Sequence, residues 1–145
     1  MKKLLFLFTL LFCYACNEDV SVDPTIMPTA TTTGENTLGC LIDGWIYASE
    51  RFGKPEVITY TEDGNLYMRI QSEVGIFTAL SITLVNPSEG TTCNYINATF
   101  DGGTLEDGKA HITRFDGKVI SGTFAGGNIT EGRFDVKYKG NENNY

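Results

Sequence analysis

The segment from residue 129 to residue 138 alternates between two faces, and this period constrains the fold more than any other feature of the chain. One face carries Thr130, Gly132, Phe134, Val136 and Tyr138; the other carries Ile129, Glu131, Arg133, Asp135 and Lys137. A two-residue period with one apolar and one charged face is typical of a half-buried antiparallel strand. Together with two earlier runs, residues 112–138 predict a three-stranded meander with turns at Asp116–Gly117 and around Gly126–Gly127.

Short runs of the same kind, separated by turn residues, continue upstream. Residues 41–48 predict one strand, with Trp45 and Tyr47 on the face opposite Ile42, and residues 57–71 predict a hairpin about Asp63–Gly64. Residues 76–85 predict a central core strand that begins at Ile76, with Ile76, Leu80, Ile82 and Leu84 aligned on one face. No window has the period of an amphipathic helix. We therefore expect an all-β fold, an antiparallel β-sandwich of about eight strands that ends in the meander, with a lipocalin-like barrel as the alternative.

The N-terminus has the layout of a secretory signal peptide. Met1–Lys3 is basic, and the apolar run Leu4–Phe12 is too short for a membrane span, which needs about 20 residues. Ala15–Cys16 behind this run resembles the bacterial lipobox, in which the cysteine is acylated, for example with palmitate. The resemblance is imperfect because Cys13 stands where Leu is usual. We predict a signal peptide over residues 1–15 and lipidation of Cys16; the alternative is ordinary cleavage that leaves Cys16 free.

Removal of residues 1–15 takes away two lysines and no acid. The remaining chain has 9 basic and 18 acidic residues, hence a net charge of −9. Such a surface repels phosphate backbones, so nucleic acid is excluded as a partner on charge grounds. Attachment to a membrane must come from the lipid anchor.

Residues 16–36 predict a lipid-anchored flexible tether, because they are rich in Thr, Pro and acids and have no apolar period. Glu18–Asp19 resembles the export signal of Bacteroidota surface lipoproteins. The β-domain is expected over residues 37–139, and residues 140–145 predict a disordered tail. The expected location is therefore the outer membrane, lipid-anchored and facing the cell surface.

Two cysteines remain in the predicted domain, Cys40 and Cys93. An even pair in a secreted domain favours a disulfide. The bridge would close a loop of about 50 residues, worth roughly 4 kcal/mol in the chain-entropy model. The alternative is two buried free thiols on neighbouring strands.

Few residues in the chain can support catalysis or bind a metal. His111 is the sole histidine, and no G-x-S-x-G elbow occurs, so a zinc hydrolase or a serine triad is hard to build. The Asp-Gly pairs lack the alternating carboxylates of calcium loops and are expected to form turns. We predict no catalytic residue, no metal and no cofactor.

A candidate ligand platform combines Asp43, Trp45 and Tyr47 with Tyr67. A flat indole beside phenols and a carboxylate suits a sugar, through stacking on C–H faces and hydrogen bonds to hydroxyls. The competing interpretation is that Trp45 covers the open edge of the core.

Two blocks resemble an uncharacterised family of Bacteroidota surface lipoproteins. Residues 33–44 (TGENTLGCLIDG) carry its T-G-x-N-T-x-G-C-L pattern. Residues 120–124 (ISGTF) and 129–138 (ITEGRFDVKY) resemble S-G-T-F and I-T-D-G-R-F-D-V-K-Y, with Glu131 in place of the Asp. The resemblance implies a secreted, lipid-anchored β-domain and assigns no activity. We expect a non-catalytic binding or accessory module for a glycan or an envelope protein. The alternatives are a small-ligand carrier with a barrel cavity and a carboxylate-based hydrolase.

Overall fold

A computed structural model describes residues 27–50 and 52–139, and this part of the chain is built from β-strands. The predicted signal peptide, Cys16 and the predicted tail lie outside the described residues. The strands are β1 (Thr37–Ile42), β2 (Trp45–Ala48), β3 (Glu56–Glu62), β4 (Asn65–Gly75), β5 (Thr78–Val85), β6 (Thr92–Phe100), β7 (Gly103–Thr104), β8 (Gly108–Phe115), β9 (Val119–Gly126) and β10 (Ile129–Lys137).

All the strands belong to one antiparallel sheet in the order β2-β1-β10-β9-β8-β6-β5-β4-β3, with the two-residue β7 paired to β6. The sheet curls into a half-barrel. Its end strands β2 and β3 are not hydrogen-bonded to each other; instead, Cα atoms of β2 approach those of β4 within 8 Å, and β10 approaches β3 within the same distance. The prediction of an all-β antiparallel fold, sandwich-like or barrel-like, is confirmed.

The inner face of the curled sheet holds the hydrophobic core. Phe134 and Val136, predicted to face inward, are 1% and 0% exposed. The fully buried large side chains are Tyr95, Phe134, Leu38, Met68, Ile70, Leu80, Ile82, Leu84, Ile112, Ile120, Ile129 and Val136. Because both halves of the sheet contribute to this list, the core is one continuous layer inside the half-barrel.

A bulge at the start of β10 changes the predicted alternation. The register with β9 shifts between Ile129 and Gly132, and Glu131 has a φ of 51°. The extra residue moves Ile129 to the inner face, where it is buried, although the simple period places it with the charged side chains. The prediction for Ile129 is therefore wrong, while the faces from residue 132 onward are as predicted.

The strand predicted from residue 76 begins two residues later. β5 starts at Thr78, and residues 76–77 form the turn that joins it to β4. Ile76, predicted to lie in the core, is 77% exposed. Val74, at the end of β4, is buried instead.

Residues 28–36 lie against the sheet rather than forming part of a free tether. Pro28 and Gly34 are buried, and this segment donates to and accepts from side chains of β8 and β10. The folded unit therefore begins before the predicted boundary at Thr37. We call residues 28–36 the latched segment.

Candidate functional site

Asp43 and Gly44 form a tight turn, as expected of the Asp-Gly pairs, and this turn divides the single strand predicted over residues 41–48. Their φ angles are 51° and 82°, and the turn pairs Ile42 on β1 with Trp45 on β2. Cross-strand partners share a face, so Trp45 lies on the inner face, not opposite Ile42 as predicted. The prediction alternated the faces of residues 41–48 as one continuous strand. Because the chain reverses direction at Asp43–Gly44, that alternation does not hold across the turn.

Tyr47 also faces inward, where it packs within the molecule. It is the cross-strand partner of buried Cys40, and its ring meets that of Phe100 edge-on with 4.6 Å between centroids. A ring held in this way contributes to the core. It is not part of an open ligand surface beside Asp43.

Tyr67 lies on the other half of the sheet. It pairs with Tyr60 on β3, and the two rings stack at 5.0 Å with 13° between their planes. Its neighbour Met68 is fully buried, so Tyr67 points to the outer face. The four predicted ligand residues therefore do not form a common platform.

Strand register places four turns on one rim of the half-barrel. These are Asp43–Gly44, residues 76–77, residues 101–102 and residues 126–128. Asp43 N–H donates to the carbonyl of Asn128 at 3.1 Å, which ties two of these turns together. Any exposed side chains on these turns are presented in the same direction along the strands.

This rim carries most of the exposed large apolar side chains. Among the described residues four such side chains are exposed: Phe77 at 92%, Ile76 at 77%, Trp45 at 72% and Ile58 at 42%. The first three lie on this rim, whereas Ile58 lies on the outer face of β3, opposite Arg69. We call the set Trp45, Ile76 and Phe77 the apolar rim. Sequence reasoning identified Trp45 but assigned Ile76 to the core.

Phe77 adopts an unusual backbone conformation in the turn between β4 and β5. Its φ is 56°, in the left-handed region that Gly, Asn and Asp normally occupy. A bulky aromatic residue there is strained by about 1–3 kcal/mol. The ring is almost fully exposed, so no packing within the domain offsets this cost. Packing among the described residues therefore does not explain an aromatic residue at this position.

The opposite rim is organised by Asp135, which is 1% exposed although it lies on the outer face of β10. Its carboxylate accepts hydrogen bonds from Thr31 Oγ1 at 2.5 Å, from Gly34 N–H and Glu35 N–H at 2.9 Å, and from Ser121 Oγ at 2.6 Å. Burial alone would raise the pKa of Asp135, but these hydrogen bonds together outweigh it and lower the pKa. We call this end the latched rim.

Cys40 and Cys93 are free thiols in this structure, so the predicted disulfide is not formed here. They lie on β1 and β6, which are separated in the sheet by β10, β9 and β8. Burial raises the pKa of the Cys40 thiol to about 12. Burial also raises the pKa of Cys93, against the lowering effect of backbone hydrogen bonds. These shifts favour the protonated thiol form of both residues near neutral pH.

The described residues offer little for metal chemistry. No group of three or more His, Cys, Asp or Glu side chains among them is arranged to hold a metal ion. His111, the sole histidine, is exposed on β8, where its Nδ1 lies 3.3 Å from Thr92 Oγ1. Within the same residues, no helix is long and apolar enough to cross a membrane.

No protein-family model, no curated protein and no solved structure matches this chain. Its function must therefore be inferred from its own residues and their arrangement.

Proposed function

We propose that this protein is a non-catalytic, lipid-anchored binding module of the cell surface, and that its apolar rim docks a partner envelope protein. The observation that carries the proposal is that three exposed large apolar side chains, Trp45, Ile76 and Phe77, lie on one rim, with Phe77 held in a strained conformation. Residues that strain a fold without packing inside it are typical of functional surfaces.

The composition of the rim favours a protein over a glycan. Trp and other large apolar residues provide much of the affinity of protein interfaces. Burying one such side chain contributes roughly 1.5–3 kcal/mol, so three of them supply a useful share of a specific affinity. Ile76, which is 77% exposed, has no flat face on which a sugar ring could stack.

The filled interior of the half-barrel favours a surface binder over a small-ligand carrier. Tyr95, Phe134 and Met68 are all 0–1% exposed and occupy the space that a carried ligand would need. Lipocalin-like carriers use a hollow barrel with an open mouth. The apolar rim offers contact area without displacing any of these core residues.

Anchoring by Cys16 fits a module that works close to a membrane. Eleven peptide steps join Cys16 to Met27, the first described residue. An extended chain spans at most about 3.6 Å per residue, which places Met27 within about 40 Å of the lipid. Mass spectrometry of the mature N-terminus tests the anchor: an acylated Cys16 supports it, and an unmodified Cys16 or Asn17 start contradicts it. Cys16→Ala should release soluble protein.

Trp45 is the sole tryptophan of the chain, so intrinsic fluorescence reports directly on the apolar rim. A 72% exposed indole should emit at long wavelength and be quenched readily by iodide. Partner binding should shift the emission to the blue and protect the indole from the quencher. Outer-membrane proteins that bind the wild-type domain are first isolated and purified. Each purified protein is then titrated into the domain while the Trp45 emission is followed.

The double variant Trp45→Ala/Phe77→Ala is the test of the surface, and Ile58→Ala is its matched control. Ile58 is also an exposed large apolar residue, but it lies on the outer face of β3. The double variant has no tryptophan, so calorimetry measures partner binding by the wild type, the double variant and Ile58→Ala. The double variant should lose the partner and Ile58→Ala should keep it. Equal binding by all three proteins would overturn the assignment, as would a blue shift produced by lipid vesicles or by a glycan alone.

A further inference from the structure

A second open surface lies on the outer face of β6, β8, β9 and β10. Strand pairing aligns Thr92, His111, Thr123 and Arg133 in a single row, with each residue opposite the next. Lys109 is two residues from His111 on β8 and projects to the same face. These five residues border a groove of about 390 Å³.

The groove gathers cationic side chains on a protein whose net charge is −7. The ion pair found within the described residues joins Arg114 to Asp116, so the charges of Lys109 and Arg133 are not neutralised by a salt bridge there. Glu131 also lines the groove, but its charge is outnumbered by these two cations. Among the lining residues the positive charges therefore outnumber the negative one, and this balance favours an anion in the groove.

The two cations are held in position by neutral partners. Arg133 donates from Nη1 to the carbonyl of Pro28 at 3.1 Å and from Nε to the carbonyl of Glu131 at 3.4 Å. Lys109 donates from Nζ to Asn94 Oδ1 at 2.9 Å. Each cation keeps further N–H donors beyond these bonds. Side chains ordered in advance lose less entropy when a ligand binds.

The spacing of the row sets the size of the ligand. Neighbouring strands lie about 4.8 Å apart, so the Cα atoms of His111 and Arg133 are separated by about 10 Å across β9. The hydroxyls of Thr92 and Thr123 lie within the same groove and can both donate and accept hydrogen bonds. Cations beside hydroxyl groups over this span suit a small sugar that carries an acidic group.

We propose that this groove binds an acidic saccharide, with the carboxylate or sulfate of the sugar between Lys109 and Arg133 and its hydroxyls on Thr92 and Thr123. The site is separate from the apolar rim and does not depend on a protein partner there. It also accounts for the position of His111, whose unoccupied ring nitrogen can hydrogen-bond to the ligand from the middle of the row.

The probe is a disaccharide that contains one uronic acid, titrated into the domain at low ionic strength and followed by amide NMR shifts. We expect shifts confined to β6, β8, β9 and β10 that weaken as salt is added. The matched ligand is the neutral disaccharide in which a hydroxymethyl group replaces the carboxylate, and it should bind at least tenfold more weakly. A sulfated disaccharide distinguishes a carboxylate preference from a general preference for oxyanions.

Lys109→Gln tests the site, and Lys118→Gln controls for the loss of one positive charge elsewhere. Lys118 is exposed in the turn between β8 and β9 on the latched rim. Lys109→Gln should weaken the acidic probe about tenfold, as expected for one charge-assisted hydrogen bond, and Lys118→Gln should leave binding unchanged. Equal weakening by both variants, or equal affinity for the acidic and neutral sugars, would overturn the proposal.

Discussion

The latched rim and the apolar rim of the half-barrel differ in how their polar and apolar groups are satisfied. At the latched rim, a charged side chain is buried, and each carboxylate oxygen of Asp135 has hydrogen-bond donors within 3 Å. At the apolar rim, large apolar side chains are exposed, and Phe77 occupies a backbone conformation better suited to Asn or Gly. Each rim departs from the usual distribution, in which charged side chains are exposed and large apolar ones are buried. Only at the latched rim do contacts within the domain offset the cost of this departure.

We expect stability and the proposed binding to depend on different rims. A buried carboxylate would be costly without partners, so the hydrogen bonds of Asp135 make the latched rim part of the folded unit. Exposed aromatics with no internal partner contribute little to stability, so the apolar rim is free to serve an external contact. Variants at the latched rim should therefore lower the stability of the domain. Variants at the apolar rim should weaken partner binding and leave stability nearly unchanged.

The largest effect is expected from Asp135→Ala. Removal of the carboxylate leaves the N–H groups of Gly34 and Glu35 and the hydroxyl of Ser121 without their acceptor. Because each buried unsatisfied donor costs roughly 1–3 kcal/mol, the free energy of unfolding should fall by about 3 kcal/mol or more. Urea denaturation measures this loss, and limited proteolysis should show residues 28–36 cleaved first.

Ser121→Ala is the graded control for this prediction. It removes one of the donors to Asp135 and leaves the carboxylate in place. The free energy of unfolding should fall by about 1 kcal/mol. A loss from Ser121→Ala as large as that from Asp135→Ala would mean that the latched segment adds nothing to the folded unit.

Acid should weaken the latched rim through the same carboxylate. Because the folded-state pKa of Asp135 lies below its ordinary value of about 3.9, the native state favours the ionised form. This contribution is fully present above the unfolded-state pKa and is lost as the pH falls through the lower folded-state pKa. Thermal unfolding between pH 7 and pH 2 should show a Tm that is steady above about pH 5 and drops below about pH 4.

Asp116 must be separated from Asp135 in this experiment. Backbone hydrogen bonds from Val119 and Lys118, with the Arg114 side chain, lower the pKa of the exposed Asp116 to about 2. Because Asp116 is exposed, solvent screens its interactions and they contribute little to stability. The variant Asp116→Asn should therefore keep most of the acid-induced loss of Tm, and Asp135→Asn should remove most of it. The reverse result would assign the acid sensitivity to the turn between β8 and β9.

Sequence patterns predicted the strands but not the two rims, and the reasons are physical. The two-residue period identifies the inner face from residue 132 onward because that face is set locally by the pleat. The latched segment depends on Asp135, about 100 residues away in the chain, and no local pattern reveals such a partner. The threonines of residues 29–35 are equally typical of a tether and of a segment that hydrogen-bonds to a buried carboxylate.

Two turns explain why the sequence patterns did not predict the apolar rim. Asp43–Gly44 has the composition of a tight turn, but apolar residues on both sides also fit one continuous strand. Ile76 and Phe77 have high strand propensity, and turns normally exclude such residues. Their strand propensity therefore led to a predicted strand that includes residues 76–77, which form a turn in the structure.

Phe77→Asn should stabilise the domain slightly while it removes part of the apolar rim. Asn tolerates a φ of 56° better than Phe, so relief of strain should raise the free energy of unfolding by about 0.5–1 kcal/mol. Ile76→Asn is the control, since Ile76 does not have a positive φ and should show no such gain. A decrease in stability for Phe77→Asn would mean that the ring packs within the domain after all.

The smallest effect on stability is expected from Trp45→Ala, at the other end of the apolar rim. An indole that is 72% exposed buries little surface, so the free energy of unfolding should change by less than about 0.5 kcal/mol. Trp45 shares its face and its strand with Tyr47, whose ring packs on Phe100. Tyr47→Ala is therefore the matched comparison, and it should cost about 3 kcal/mol because it opens a cavity. Urea denaturation of both variants checks the pair. Similar losses for the two would mean that Trp45 covers the core, and the apolar rim would then lack its only tryptophan as an interface residue.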